Sequence, residues 1–415
     1  MYLTSRTALG RRAAEPEAPV KVRRRVSPNV LALGAVSMVT DISSEMVTAI
    51  LPLYFVFVLG MTPLQFGFFD GLYSGVTSFV QLFAGVVADR WQQRKAIAGA
   101  GYGLSAICKL GMLMVGSSLP GIGLVLAADR TGKGFRTAPR DALISLSSEP
   151  EDLGRSFGVH RALDTVGAFI GPLLAFVMIS AAPNGYDAIF VVSFCVAAFA
   201  VGILVVTVRD KRTAISSAKE VTARAALRLL RSGKFSAIAI CALLFSFVQI
   251  SDAFVYLLLQ RRYNLQLSFF PLLSLGTSVG YLVLAIPLGR VADRIGRARV
   301  FLLGHVALLL VYVLVQHGPK GWPFLIVILA IHGSFYAATD GVLMAYVGPI
   351  IPEHLRTSGM AVIQTGNAVA NLLSSTVFGL AWTVWGPGTA VQVFGIGLVA
   401  TLVLGAVMLP IRSRA

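Results

Sequence analysis

The stretch Leu126-Ala-Ala-Asp129-Arg130-Thr-Gly-Lys133-Gly134-Phe-Arg136-Thr-Ala-Pro-Arg140-Asp141, running on to Gly167-Ala-Phe-Ile-Gly171-Pro172, decides how the rest of the chain is read. It sets charged residues into segments otherwise apolar enough to lie in a membrane. At 100° per residue, Asp129, Lys133, Arg136 and Arg140 fall within about a 60° arc of one helix face. His160, Asp164, Gly167 and Gly171 line one face of the next helix in the same way. Charge inside a bilayer is costly and faces a protein interior or a water-filled cavity. The stretch therefore predicts a polar path, with the remaining segments built to enclose it.

Composition agrees. Of 415 residues, 56% are hydrophobic and 13% charged, whereas soluble domains carry about 25% charged residues. Segments of ~20 apolar residues, enough to cross about 30 Å of hydrocarbon, lie near 29–58, 64–88, 96–117, 121–146, 156–181 and 187–208. Six more lie near 235–259, 268–289, 299–317, 322–346, 358–383 and 389–410. The expected fold is an all-α membrane protein of twelve helices in two pseudo-symmetric six-helix bundles. The bundles take 29–208 and 235–410, joined by a cytoplasmic linker at 209–234 and flanked by tails at 1–28 and 411–415.

Charge placement gives the orientation. With both termini and the linker assigned to the cytoplasm, 27 of the 35 Lys and Arg fall on that side. Three lie opposite (Arg261, Arg262, Lys320) and five within spans (Lys109, Arg130, Lys133, Arg136, Arg161). This is the positive-inside pattern of a multi-pass protein of the plasma (cell inner) membrane. It also accounts for the net charge of +16 without nucleic acid. Residues 1–27 are basic and lack an apolar core, unlike a cleaved secretory signal. Cys108, Cys195 and Cys241 sit in apolar runs with no disulfide or metal-ligand spacing.

The two halves repeat. Gly85-Val-Val-Ala-Asp89-Arg90 matches Gly289-Arg-Val-Ala-Asp293-Arg294, and Pro150-Glu-Asp-Leu-Gly-Arg155 resembles Pro352-Glu-His-Leu-Arg356 at the equivalent place. A six-plus-six repeat is a transporter architecture with the substrate site at mid-membrane between the halves. On these residues the chain resembles the major facilitator superfamily over 29–410. The family's loop signature G-x-x-x-D-R-x-G-R is complete in the second copy (Gly289, Asp293, Arg294, Gly296, Arg297). The first copy has Gln92 and Gln93 where Gly and Arg are usual. The resemblance makes Gly85, Asp89, Arg90, Gly289, Asp293, Arg294 and Arg297 a conformational latch, and their basic groups also suit lipid phosphates.

Arg130 and Gly134 are similar to the family's helix 4 signature, with Lys133 in place of the usual Gln. Gly167, Gly171 and Pro172 resemble its antiporter signature, with Ala175 and Phe176 replacing a further Gly pair. Together they imply the drug:proton antiporter branch, with Arg130 associated with proton coupling. Gly167 and Gly171 also read as a helix-packing motif, because small residues four apart let helices approach closely.

On helix 1, Asp41 lies ~18 Å into the span and Glu45 one turn further on the same face. Two carboxylates that close cannot both ionise easily, which suits proton handling. The other reading is a static ion pair to Arg130 or Arg161. We take Asp41, Glu45, Arg130 and Asp164 as the proton-coupling set. Candidate cavity residues are Lys133, Arg136, His160, Arg161, Asp252, His332, Tyr336, Gln364 and Asn367. The five in-span basic groups point to an anionic or zwitterionic cargo.

The expected activity is proton-coupled efflux of a small organic compound by a monomer, with protons and membrane lipids as its other partners and no cofactor. Proton-coupled import of an organic anion or metal chelate is the alternative, and a non-transporting membrane sensor is the reading from another class. No nucleophile–base or metal constellation suggests an enzyme.

Overall fold

The computed structural model describes residues 26–91, 93–210, 229–352 and 355–409. The tails and most of the 209–234 linker lie outside the described residues. Six helices form the first bundle: α1 (Pro28–Leu53), α2 (Pro63–Trp91), α3 (Arg94–Met114), α4 (Leu119–Leu146), α5 (Leu153–Ala181) and α6 (Tyr186–Thr207). The second holds α7 (Gly233–Val248), α8 (Asp252–Tyr263), α9 (Pro271–Ile295), α10 (Arg297–His317), α11 (Trp322–Val347) and α12 (Arg356–Met408). α7 and α8 are two halves of one span. α12 is two spans, because Gly386 sits at φ 81°, where only glycine is comfortable, and Pro387 follows. Twelve spans in two bundles result.

Among the described residues, nine helices pass a simple test of length and apolarity, and they account for every span except α2 and α4. α4 falls short because of its charges, as its sequence implied. Prolines start several helices, where the missing N–H costs nothing: Pro28 on α1 and Pro271 on α9. Pro52 instead lies inside α1, and the chain there relaxes into a π-helical turn over Tyr54–Val58.

The break between α7 and α8 is not apparent in the apolar run 235–259. At Gln249, Ile250 and Ser251 the backbone is non-helical, freeing peptide groups that lipid cannot satisfy. Side chains supply the partners. Ile250 N–H donates to Tyr312 Oη at 2.7 Å, and Ser374 Oγ donates to the Gln249 carbonyl at 2.5 Å.

The bundles meet at the side opposite Pro28 and Met408, the start of α1 and the end of α12, here called the far side. There the start of α2 packs on the first arm of α12. Leu64 N–H donates to Thr383 Oγ1 at 3.1 Å and Ser375 Oγ donates to Asp70 at 2.7 Å. Phe254 of α8 wedges between Phe66 and Phe378, ring centroids 4.8 Å from each. Phe176 of α5 meets Phe269, just before α9, at 5.5 Å. Towards the side that carries Pro28 and Met408, a side chain built at Gly154, Gly158, Gly289 or Gly341 would find open space.

Candidate functional site

Between the bundles lies a cavity of about 490 Å³. α1 gives it Glu45 and Thr48, α2 gives Asp70 and Tyr73, and the α7–α8 break gives Gln249, Ser251 and Asp252. α9 adds Thr277 and Tyr281, α11 adds Tyr336 and Asp340, and α12 adds Asn371. Four of the lining side chains are carboxylates (Glu45, Asp70, Asp252, Asp340), and no Lys, Arg or His is among the lining residues described.

On the second-bundle wall, Tyr336 Oη donates to Asp252 Oδ1 at 2.5 Å, and Gln249 Nε2 donates to Tyr336 Oη at 3.3 Å. Behind Asp252 stands His332, fully buried, with Nε2 3.3 Å from the same Oδ1. Asp252 is the first residue of α8, and the N-terminus of a helix favours negative charge.

Lys109, Arg130, Arg136 and Arg140 find their partners within the first bundle. Arg130 clasps Asp129 through Nε (2.9 Å) and Nη2, and lies 3.8 Å over the Tyr73 ring. Lys109 Nζ is 3.8 Å from Asp129. Arg136 pairs with Asp41 at 3.6 Å, and Arg140 pairs with Asp141 at 2.9 Å while donating to Ser37. Ion pairs of this kind satisfy charges that would be prohibitive alone. Asp41 thus has Arg136 as its partner, where the sequence suggested Arg130 or Arg161. Asp70 accepts from Ser375 Oγ across the bundles.

The glycines of α5 bring this acid pair into place. A Cβ at Gly167 would lie 2.4 Å from the Met38 carbonyl and 3.1 Å from Asp41 Cβ. One at Gly171 would lie 2.7 Å from Glu45 Cβ. The motif therefore presses α5 against α1 at the very turns that carry Asp41 and Glu45, with Pro172 buried in the same seam.

The other sequence candidates divide. Asp252 and Tyr336 line the cavity, and His332 stands behind Asp252. Lys133 is half-buried and close enough to Glu45 and Asp41 to interact electrostatically with both. His160 is buried with Nε2 3.4 Å from Asp164 Oδ2, and the Arg161 side chain, 74% exposed, brings Nη1 within 3.9 Å of the same oxygen. Gln364 is exposed and Asn367 half-buried on α12, neither lining the cavity. Asp70, Asp340 and Asn371 are brought together with Asp252, and so is Glu45, which its spacing from Asp41 had marked.

In the second loop signature, Gly296 takes φ 103° in the tight turn from α9 to α10, a glycine conformation. Arg297 is 3.1 Å from Asp293 and donates from Nη1 to the Ala345 carbonyl at 2.7 Å. This ties the α9–α10 turn to the end of α11. The side chains of Gly85, Asp89 and Arg90 in the first copy lie outside the described residues. Because the second copy holds this tie, Asp293→Asn is expected to slow transport several-fold more than Asp89→Asn. Initial rates at matched expression check it, and equal rates would refute it.

A model of the Major Facilitator Superfamily matches residues 33–279 and 257–415. An uncharacterized MFS-type transporter of Methanocaldococcus jannaschii is 29% identical over 398 residues, which is 93% of this chain and 95% of that protein. An uncharacterized protein of Mycobacterium bovis is 35% identical over 128 residues, 31% of each chain. Among solved structures, the nucleoside transporter NupG superposes with a TM-score of 0.77 at 16% identity, covering 91% of this chain and 98% of that one. A POT family transporter in complex with 5-aminolevulinic acid does so at 0.74 and 13% identity, over 93% of this chain and 97% of that one. These likenesses agree with the twelve-span, two-bundle architecture, and the chain belongs to the Major Facilitator Superfamily as a membrane transporter of that type.

Proposed function

We propose that this transporter exports a small organic compound in exchange for protons, by alternating access. It then stands with the drug:proton antiporter branch that the Arg130–Gly134 and Gly167–Pro172 signatures resemble. The carrying observation is the Asp41–Glu45 pair. Asp41 is half-buried against Arg136, and Glu45, one turn on, reaches the central cavity. An acid that exchanges its counter-ion between Arg136 and a proton, next to the cargo space, is what proton coupling requires. Arg130 and Asp164 complete the set, the first through its pair with Asp129 and the second beside His160.

The positive-inside count supports a plasma-membrane orientation with the linker and tails on the cytoplasmic side. The contacts closing the far side then make this a state loaded from within, which suits export. One chain holds both walls of the cavity, so a monomer suffices. Import of an organic anion or metal chelate has less support, because the basic groups that suggested it stand outside the cavity lining.

The test is transport in proteoliposomes under a pH gradient of either sign, with a library of organic compounds. Accumulation driven only when protons move against the cargo supports antiport. Accumulation with protons moving in the same direction establishes symport instead, and gradient-independent equilibration removes proton coupling.

A further inference from the structure

We propose that the central cavity is built for an organic cation bearing aromatic rings, with the Asp252 carboxylate as its anchor. The proposal rests on the reading of this cavity as the transport site, and it adds the chemistry of the cargo.

The cavity is a walled space of about 490 Å³, and its charge has one sign. Glu45 faces it from the first bundle and Asp252 and Asp340 from the second, with Asp70 at the far-side contact. Asp252 is close enough to Asp70 and to Asp340 to repel both. Like charges in a low-dielectric space must be relieved by protons or by a cation. The in-span basic groups do not provide that relief at the second-bundle wall. Arg130 and Lys109 are committed to Asp129 and Arg136 to Asp41, and Lys133 faces Glu45 and Asp41 on the opposite wall, all inside the first bundle.

Asp252 is the carboxylate best prepared as an anchor. Tyr336 Oη donates to Oδ1 and the His332 ring lies 3.3 Å from the same oxygen, while the Asp252 side chain stays 39% exposed. His332 itself is wholly buried, and neither ring nitrogen makes a hydrogen bond of its own. It is a polar group held in reserve behind the anchor. A carboxylate positioned in this way holds an ammonium or another cation by charge, and specificity follows from what surrounds it. The surroundings are aromatic: Phe55, Phe69, Tyr73, Tyr256, Phe270 and Tyr281 all face the space. Ring faces attract cations and pack against other rings. The same cavity would desolvate an anion beside four carboxylates, with no cationic lining group to compensate.

Tetraphenylphosphonium and tetraphenylborate share one shape and differ in the sign of their charge. Titrated into the purified full-length protein in nanodiscs, with empty nanodiscs subtracted, the phosphonium is expected to bind at least tenfold more tightly. Asp252→Asn, checked for folding by its melting temperature, is expected to weaken phosphonium binding tenfold or more and to leave the borate unchanged. Equal binding of the two ions, preference for the borate, or no binding of either overturns the proposal. So does undiminished phosphonium binding by a folded Asp252→Asn protein. The ion preference is measured on the unmodified protein, so it decides the charge of the cargo even if that variant fails to fold. No gradient enters the measurement. Loss of proton coupling in proteoliposomes would therefore overturn the exchange mechanism alone, whereas cargo of the wrong charge would overturn only the present inference.

Discussion

Asp41→Asn is expected to reduce gradient-driven accumulation to the level of empty vesicles while leaving counterflow exchange of cargo largely intact. Asn keeps the volume of Asp at a tightly packed place, since α5 passes so close that a Cβ at Gly167 would lie 3.1 Å from Asp41 Cβ. It removes the group that alternates between a proton and Arg136. The substitution also leaves the buried Arg136 without its partner, and breaking a buried ion pair from one side costs about 3–5 kcal/mol. Instability alone would thus also lower activity. The double variant Asp41→Asn with Arg136→Gln separates the two effects, because it removes both charges together. It is expected to recover the melting temperature and exchange without recovering accumulation. Full accumulation by Asp41→Asn would take Asp41 out of the coupling mechanism.

The architecture was legible because its signals are local. Apolar length gives the spans, and the recurring Gly-x-x-x-Asp-Arg gives the repeat. The charged face of α4 was legible for the same reason, since four residues on one arc need no knowledge of the fold. What lay beyond reading was anything settled by partners distant in sequence. The break before Asp252 is made tolerable by Tyr312 and Ser374, 62 and 125 residues away, and nothing in 235–259 announces them.

The ion pairs of α4 show a second limit. Helical-wheel geometry sets Asp141 about 100° from Arg140 and separates Asp129 from Arg130 equally. Yet both arginines fold onto their immediate neighbours, because a long flexible stem spans that angle. From the sequence, the in-span basic groups, three of them on α4, point to an anionic or zwitterionic cargo. In the structure Arg136 and Arg140 are buried and paired, and the cavity takes its lining from other helices. Carboxylates such as Asp70 and Asp340 gave no sign of their convergence, since they sit on helices far apart in the sequence.

The far-side closure should depend on Gly67 more than on any of its polar contacts. At this point α2 and α12 touch backbone to backbone. A Cβ at Gly67 would lie 2.2 Å from the Ser375 carbonyl oxygen and 3.3 Å from Gly379 Cα. One at Gly379 would lie 2.3 Å from the Pro63 carbonyl oxygen. Neither obstacle is a side-chain tip that could swing aside, and overpacking of milder kind already costs about 1–3 kcal/mol. Even about 3 kcal/mol against one of two states shifts their ratio more than a hundredfold. Gly67→Val is therefore expected to bar the closed far side and hold transport below about a tenth of normal. The bundles themselves are not altered, so the variant should remain folded with the cavity open to the outside. Asn371, which lines that cavity, reports the difference once replaced by Cys in a background where Cys108, Cys195 and Cys241 are Ser. A membrane-impermeant maleimide added from outside is expected to label it markedly faster when Gly67 is Val. Gly202→Val on α6, where an added side chain meets nothing within 4 Å, is the matched control and should transport normally. Normal transport by Gly67→Val, or unchanged labelling, would mean that the α2–α12 seam is not what closes the far side.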